Sequence, residues 1–256
     1  MPSDGGITVT LDASGKFLYG TASANPSGQS FSSPAIFGFS VDQNSGTIAA
    51  LPGSPWILQS GMGPAMTPLV TTNGAWICIT MELARTNEGA QCIPRHADGT
   101  LDPNNFVQPA VSSTGIPGVA ATADGTHLLY TNGGQNQVIS TLIGNTNNGT
   151  AFSSGGSGAN GVAVDPMGSW GAVTNSQSKN VEIFEIGGGG GSLVPITHVS
   201  TTVSPAQVAF SHSGAYLFVT SDSSTLVFSF NRSNGLLMPL NSSNVAPGIG
   251  GPVGTM

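Results

Sequence analysis

The fold is indicated by one stretch near the end of the chain, His212-Ser213-Gly214-Ala215-Tyr216-Leu217-Phe218-Val219-Thr220. Ser213-Gly214 is typical of a tight turn, and the aromatic and β-branched residues after it favour a strand. Four more stretches repeat this pattern, at residues 13–21, 72–80, 123–131 and 166–174. In all copies the sixth residue after the glycine is threonine. The second residue after it carries a ring, and these ring residues are Phe17, Trp76, His127, Trp170 and Tyr216.

The spacing of the copies predicts the architecture. The five glycines are 43 to 59 residues apart, and each unit reads as four short strands. Four strands in a repeat of about 40 to 50 residues are typical of a β-propeller blade, whereas a β-sandwich, the alternative, does not require copies in register. We therefore expect an all-β protein, a single β-propeller domain with four-stranded blades at about residues 7–62, 63–114, 115–158, 159–203 and 204–247.

The last residues bear on the number of blades. Pro64, Pro117 and Pro205 stand near the start of three blades, and Pro252 has a similar setting. Residues 248–256 therefore read as the start of a further blade. We expect the five blades to be part of a larger ring, with a complete five-bladed ring as the alternative.

The composition excludes several classes of partner. Only 7% of the 256 residues are charged, the net charge is -7, and five residues are lysine or arginine. No basic patch can be assembled, so we expect no nucleic-acid partner. No apolar run of about 18 residues is present, so we expect no membrane span. The surface rich in Ser, Thr, Asn and Gly favours an extracytoplasmic location (periplasmic, secreted or cell-surface), although residues 1–6 do not resemble a signal peptide.

Three segments break the regularity of the repeats. Ala22–Pro34 is a polar insertion that we expect to form a loop in the first blade. Gln91–Ala97 replaces the alternating third strand of the second blade. Gly187–Gly191 reads as the flexible tip of a hairpin, because neither a lysine nor a helix follows it as in a phosphate-binding loop.

The two cysteines of the chain, Cys78 and Cys92, lie equally far from Arg85. The second and third strands of the second blade are expected to turn back near that residue, so the two side chains could face each other across a hairpin. In an oxidising compartment they would then form a disulfide. Two separate buried thiols are the alternative.

Few residues offer catalytic chemistry. Arg95 and His96 are adjacent, and an arginine can hold an anion while a histidine moves a proton. Glu82, Arg85 and Glu88 could line the loop face of the same blade. For these residues, and for Arg95 with His96, the alternative is a solvated turn without a binding role. No spacing of His, Cys and carboxylates fits a metal site, so we expect no metal and no cofactor.

Two phrases resemble a known family. Ser14-Gly15-Lys16-Phe17-Leu18-Tyr19 and Leu128-Leu129-Tyr130-Thr131-Asn132 resemble the "DGKFLYVTN" element of YVTN-repeat and lactonase-type β-propellers, and Leu51-Pro52-Gly53-Ser54-Pro55-Trp56 resembles their "GSPF". That family is seven-bladed and includes 6-phosphogluconolactonase-like enzymes as well as secreted proteins without an assigned reaction. The resemblance implies a seven-bladed ring.

The resemblance is weaker for activity. Lactonases of this family carry Pro-Arg-His or Pro-His before the first strand of several blades, whereas Gly118, Asn160 and Gln207 stand in the matching segments here. We therefore expect a non-catalytic scaffold that binds a protein, a glycan or a small molecule. The alternative is a lactone hydrolase resembling 6-phosphogluconolactonase that acts on a sugar lactone.

Overall fold

The structure is a computed structural model that describes residues 8–24, 30–58, 62–71, 73–83, 87–107, 118–144, 149–188 and 191–240. These residues form twenty strands in five antiparallel sheets, which confirms the predicted all-β class. The first sheet consists of β1 (Thr8–Leu11), β2 (Phe17–Ala24), β3 (Ser30–Val41), β4 (Ile48–Ala50) and β5 (Trp56–Ile57). The second consists of β6 (Met62–Val70), β7 (Trp76–Leu83) and β8 (Asn87–Pro94).

The other three sheets have four strands each. The third consists of β9 (Val119–Ala121), β10 (His127–Asn132), β11 (Gln137–Leu142) and β12 (Thr150–Ser153). The fourth consists of β13 (Ala159–Val164), β14 (Trp170–Asn175), β15 (Asn180–Gly187) and β16 (Ser192–Ser200). The fifth consists of β17 (Val208–Phe210), β18 (Tyr216–Thr220), β19 (Thr225–Asn231) and β20 (Leu236–Pro239).

The chain divides into two compact units. The first comprises residues 1–112 and 143–147 and holds the first two sheets, and the second comprises residues 113–142 and 148–256 and holds the other three. Within the first unit β6 lies beside β1, β2 and β3. Within the second unit β13 lies beside β9 and β10, and β17 lies beside β13 and β14. Successive sheets of a unit are therefore direct neighbours.

The five repeated turns have one geometry. Each glycine has a positive φ, between 67° and 76°, which residues with a Cβ atom rarely adopt. Three residues before each glycine, an oxygen of the side chain accepts a hydrogen bond from the backbone N–H of the ring residue. These acceptors are Asp12, Thr71, Thr122, Asp165 and Ser211. The shared bonds confirm that the copies are structurally equivalent.

The threonines at the end of the third and fourth repeated stretches link neighbouring sheets. In the second unit, Thr131 Oγ1 accepts the N–H of Gly118 at 3.1 Å and donates to the carbonyl of Asn160 in the next sheet at 2.5 Å. Thr174 makes the same two bonds, to the N–H of Gly161 and the carbonyl of Ala206. One buried hydroxyl thus satisfies groups of two sheets, which explains why threonine recurs.

Apolar residues on facing sheets form the cores of the units. Between the fourth and fifth sheets the rings of Trp170 and Phe210 both pack edge-on against Phe230, with centroids 5.8 and 5.2 Å away. In the first unit Tyr19 and Ile36 pack with Ile77 of the second sheet. The cores therefore lie between sheets, as packed blades require.

The insertion in the first repeat departs from expectation. We predicted a loop over Ala22–Pro34, but β2 continues to Ala24 and β3 begins at Ser30. Ala22 pairs with Ala35 and, beyond an irregularity, Ala24 pairs with Ser30. The strands extend into the insertion because its residues are small or β-compatible, and the pairing continues beyond the register shift.

The two cysteines are bonded to each other. Cys78 on β7 is directly opposite Cys92 on β8, their Sγ atoms are 2.05 Å apart, and both side chains are buried. The bridge joins adjacent strands of the second sheet, which has three strands in the described residues. It fastens β7 to β8, whereas Arg85, at which we expected the chain to turn back, lies outside the described residues.

We expect Thr131→Val to lower the free energy of unfolding by about 1–3 kcal/mol, because the buried N–H of Gly118 and the carbonyl of Asn160 lose the hydroxyl that joins them. Urea denaturation measures the change. Thr150→Val on the exposed side of β12 is the matched control and should stay within about 0.5 kcal/mol of the parent. Equal effects of the two substitutions would contradict the linking role.

We expect two thiols to become titratable only after reduction of the unfolded chain, because Cys78 and Cys92 are bonded. Reduction should also lower the free energy of unfolding by about 3 kcal/mol, the chain-entropy estimate for a loop of about 15 residues. Thiol titration with and without reductant measures the first effect, and urea denaturation measures the second. Two free thiols in the oxidised protein would refute the bridge.

Candidate functional site

The first strands of the sheets in the second unit begin side by side. The N–H of Gly161 donates to the carbonyl of Ala206 at 3.0 Å, and a Cβ atom on Gly118 would collide with the carbonyl of Asn160. Asn160 and Gln207 lie at these strand starts and are half-buried. They stand in the segments where the family resemblance predicted arginine or histidine. Their carboxamides can hydrogen-bond hydroxyl and carbonyl groups but cannot neutralise an anion.

A glycine-rich connection, residues 154–158, leads from the third sheet to the fourth. Its carbonyls accept hydrogen bonds from two carboxamides, Asn175 Nδ2 to Ser154 at 2.7 Å and Asn180 Nδ2 to Gly155 at 3.1 Å. Asn175 Oδ1 is buried and has no partner among the described residues. The connection runs so close to the sheet that a Cβ atom on Gly155 would overlap the carboxyl group of Glu182. Glycine is therefore required at residue 155.

Glu182 and His198 form a carboxylate–imidazole pair beside this glycine-rich connection. Glu182 on β15 is directly opposite His198 on β16, and Glu182 Oε2 lies 4.0 Å from His198 Nδ1. The carboxyl group is buried, whereas the imidazole is exposed. Burial raises the pKa of Glu182 above its ordinary value, and the charge of His198 opposes that shift. The pair can move a proton between solvent and a group held at the surface.

Neither member of this pair was among the residues predicted from the sequence. In the sequence His198 has no histidine, cysteine or carboxylate within ten residues, and Glu182 belongs to an alternating stretch, Val181–Ile186. The available signal was the hairpin at Gly187–Gly191, since counting back from its tip brings β15 and β16 together. A register irregularity between Ile183 and Phe184 makes that count inexact.

Arg95, one of the predicted candidates, is occupied by contacts inside the first unit. Its Nη2 lies 3.1 Å from Asp12 Oδ2, its Nε donates to the Tyr19 hydroxyl at 2.8 Å, and its Nη1 donates to the carbonyl of Gly74 at 2.8 Å. The guanidinium also stacks on the ring of Phe17, 4.8 Å from its centroid. Its three nitrogens therefore hold the first and second sheets together.

The other predicted candidates lie apart from Arg95's contacts. His96 is exposed and begins the hairpin that closes at Gly99. Glu82 pairs with Glu88 through the backbone of β7 and β8, and their side chains lie outside the described part of the structure, as does Arg85. A role of His96 or Glu82 in binding stays a prediction.

Arg232 repeats the arrangement in the second unit. Its Nη2 lies 2.6 Å from Asp165 Oδ2, so it joins the fifth sheet to the turn of the fourth. The described residues also include two lysines, Lys16 and Lys179, which are both exposed in or next to turns. Both described arginines are thus used in ion pairs between sheets.

The described residues contain neither a candidate metal site nor a candidate membrane-spanning helix. No cluster of three or more His, Cys, Asp or Glu side chains suited to a metal ion occurs there. None of these residues belongs to a helix with the length and apolar character needed to cross a membrane.

Comparison with solved structures supports the fold. A candidate 6-phosphogluconolactonase from Bacteroides uniformis superimposes with a TM-score of 0.68 at 19% identity, covering 91% of this chain and 69% of the other. The periplasmic gluconolactonase PpgL of Pseudomonas aeruginosa gives 0.70 at 15% identity, covering 93% and 71%. The β-propeller domain of Cps50 (Swd1) from Myceliophteria thermophila gives 0.65 at 11% identity, covering 94% and 75%. At these identities the likeness shows the fold alone, and the predicted β-propeller is confirmed.

Sequence comparison agrees with the family resemblance. No curated protein matches the chain at the level of sequence. The family model described as "Lactonase, 7-bladed beta-propeller" matches residues 135–250, which include both Glu182 and His198. The resemblance predicted from the repeats is therefore confirmed, because residues 135–250 match the model of that family.

Proposed function

We propose that the chain hydrolyses a neutral sugar lactone, with His198 as general base and Glu182 as its partner. The observation that carries the proposal is the buried carboxylate of Glu182 behind the exposed imidazole of His198, inside the segment that matches the lactonase family. Two solved structures of similar fold are named as a gluconolactonase and a candidate 6-phosphogluconolactonase. These names favour the lactonase alternative over the non-catalytic scaffold that we expected first.

The proposed reaction needs one proton carrier. His198 takes a proton from water while the water oxygen bonds to the lactone carbonyl carbon. The ring C–O bond of the tetrahedral intermediate then breaks, and the leaving alkoxide takes the proton from the imidazolium, which gives the open hydroxy acid. The carboxylate of Glu182 stabilises the imidazolium between the two steps and orients the ring, because it lies on the Nδ1 side at 4.0 Å.

The neutral substrate class follows from the distribution of cations. A phosphate group is normally held by several arginines, lysines or backbone N–H groups. Arg95 and Arg232 are committed to Asp12 and Asp165, so neither arginine is free to hold a phosphate group. An unphosphorylated sugar lactone does not need such a cation.

We also propose an extracytoplasmic location. A buried disulfide persists in oxidising compartments and is rare in the cytosol, and one neighbour in fold is named as periplasmic. The low fraction of charged residues is consistent with this proposal.

Replacement of His198 by alanine should lower kcat for glucono-δ-lactone at least about 100-fold, because the proton acceptor is lost. Hydrolysis is followed by acid release at constant pH, with the spontaneous rate subtracted. His212→Ala, in an exposed turn, is the matched control and should retain activity. A parent protein that is folded by circular dichroism but inactive on several lactones would support the binding scaffold instead.

The unphosphorylated lactone should be the better substrate. We expect kcat/KM for glucono-δ-lactone to exceed that for its 6-phosphate by about tenfold or more, since the phosphate would find no free arginine among the described residues. Initial rates with both lactones at the same pH measure the ratio. A preference for the phosphorylated lactone would reject this substrate class.

Glu182→Gln should change the pH dependence of stability. Because burial raises the pKa of Glu182, its folded form binds the proton more tightly than the unfolded chain does. Its contribution to stability is fully present below the ordinary value of 4.5 and is lost as the pH rises through the folded value. The glutamine variant should therefore gain stability relative to the parent as the pH is raised above about 4.5.

Urea denaturation between pH 4 and 8 measures this difference. Glu185→Gln, an exposed position on the same strand, is the matched control. An equal response of both variants would contradict the role given to burial.

A further inference from the structure

The position before the glycine of the repeated turn holds an unusual residue in the fourth sheet. In the other four turns, a side-chain oxygen at this position accepts the backbone N–H of the residue two places later. These four residues are Ser14, Asn73, Asp124 and Ser213. The fourth turn carries Met167 there, so a weakly accepting sulfur stands where the other copies place an oxygen.

Met167 takes part in the contact between the fourth and fifth sheets. It lies in the turn between β13 and β14 and is 70% exposed. Its sulfur accepts a hydrogen bond from Nη1 of Arg232, which lies in the hairpin between β19 and β20. Nη2 of the same guanidinium binds Asp165 in the fourth sheet. The sulfur and the carboxylate therefore share one arginine.

The guanidinium of Arg232 has fewer oxygen partners than that of Arg95. Each of the three nitrogens of Arg95 donates to an oxygen. Arg232 donates to one oxygen, on Asp165, while Nη1 meets a sulfur and the buried Nε has no partner among the described residues. Tyr19, which receives Nε of Arg95, stands four residues after its glycine, and Ala172 takes that place in the fourth sheet. The fourth turn therefore offers its arginine too few oxygens.

We propose that Met167 is a site of reversible oxidation and that its sulfoxide oxygen binds the guanidinium of Arg232. The oxidant is a hydroperoxide, which reaches the sulfur because the side chain is exposed. A sulfur lone pair attacks one peroxide oxygen, the S–O bond forms as the O–O bond breaks, and hydrogen peroxide is reduced to water. Methionine sulfoxide reductases reverse this step.

Oxidation at this position strengthens the contact between the two sheets. A sulfoxide oxygen is a better acceptor than a thioether sulfur, and a hydrogen bond from a guanidinium is among the stronger ones in proteins. Methionine oxidation is disruptive where it places a polar group among apolar side chains. Met167 is exposed and faces a cation, so this cost is small. The turn therefore responds to peroxide by holding the fifth sheet more tightly.

Peroxide treatment of the folded protein tests the proposal. Peptide mass spectrometry follows the sulfoxide at Met167, and urea denaturation compares the protein before and after treatment. We expect oxidation to raise the urea midpoint by roughly 0.2–0.5 M, the effect of one added hydrogen bond. The rise should be lost in Met167→Leu. It should persist in Met238→Leu, because Met238 is 68% exposed and receives no hydrogen bond from a described arginine.

Three results of this experiment would overturn the proposal. The first is a sulfoxide at Met167 without a rise of the urea midpoint. The second is an equal rise in Met167→Leu. The third is a sulfur at Met167 that stays unoxidised when Met238 is fully converted.

Glutamine tests the contact without an oxidant, because its carbonyl oxygen stands in for the sulfoxide oxygen. Met167→Gln should have a higher urea midpoint than Met167→Leu, whereas Met238→Gln should not exceed Met238→Leu. The gain at residue 167 should shrink in an Arg232→Lys background, since lysine keeps the charge for Asp165 but lacks the second nitrogen that faces Met167. A gain of the same size in that background would refute the contact. Circular dichroism of each variant shows that it is folded.

Discussion

The structure depends on one constraint: the fourth sheet is apolar on both faces and is covered by a neighbouring sheet on either side. Phe228 and Phe230 on β19 pack toward the fourth sheet, while Tyr216 and Phe218 line the opposite face. A sheet of this kind cannot exist alone in water, because burial of apolar surface is the main stabilising contribution in folding. The hydroxyls of Thr131 and Thr174 place the next sheet by binding one of its backbone carbonyls.

The scarcity of charge has a structural explanation. Neighbouring sheets are joined by neutral groups in most contacts, as when Thr174 donates to the carbonyl of Ala206. Arginine appears where the repeated turn of the preceding sheet begins with an aspartate. One oxygen of Asp12 or Asp165 accepts the N–H of the ring residue, and the other faces the arginine. The Glu182–His198 pair supplies the acid–base chemistry of the proposed reaction.

Much of the fold could be predicted from the sequence because it is written in local signals. The glycine of each turn and the alternation of the strand after it depend on neighbours within ten residues. The role of the threonine could not be predicted, because the carbonyl that Thr131 binds belongs to Asn160 in the next repeat. Arg95 looked like a ligand-binding residue for the same reason, since its partner Asp12 is 83 residues away. The pairing of Glu182 with His198 required a strand register that an irregularity obscures.

The ion pairs between sheets have a consequence for how such a chain can change in evolution. The hydrogen bonds that Thr131 and Thr174 make are the same at two successive junctions, because each hydroxyl binds a backbone carbonyl that any residue supplies. Asp12 with Arg95, and Asp165 with Arg232, are different, because each arginine suits only a predecessor that carries the carboxylate. The order of those repeats is thereby fixed, and a rearranged gene would leave a buried charge without its counterion.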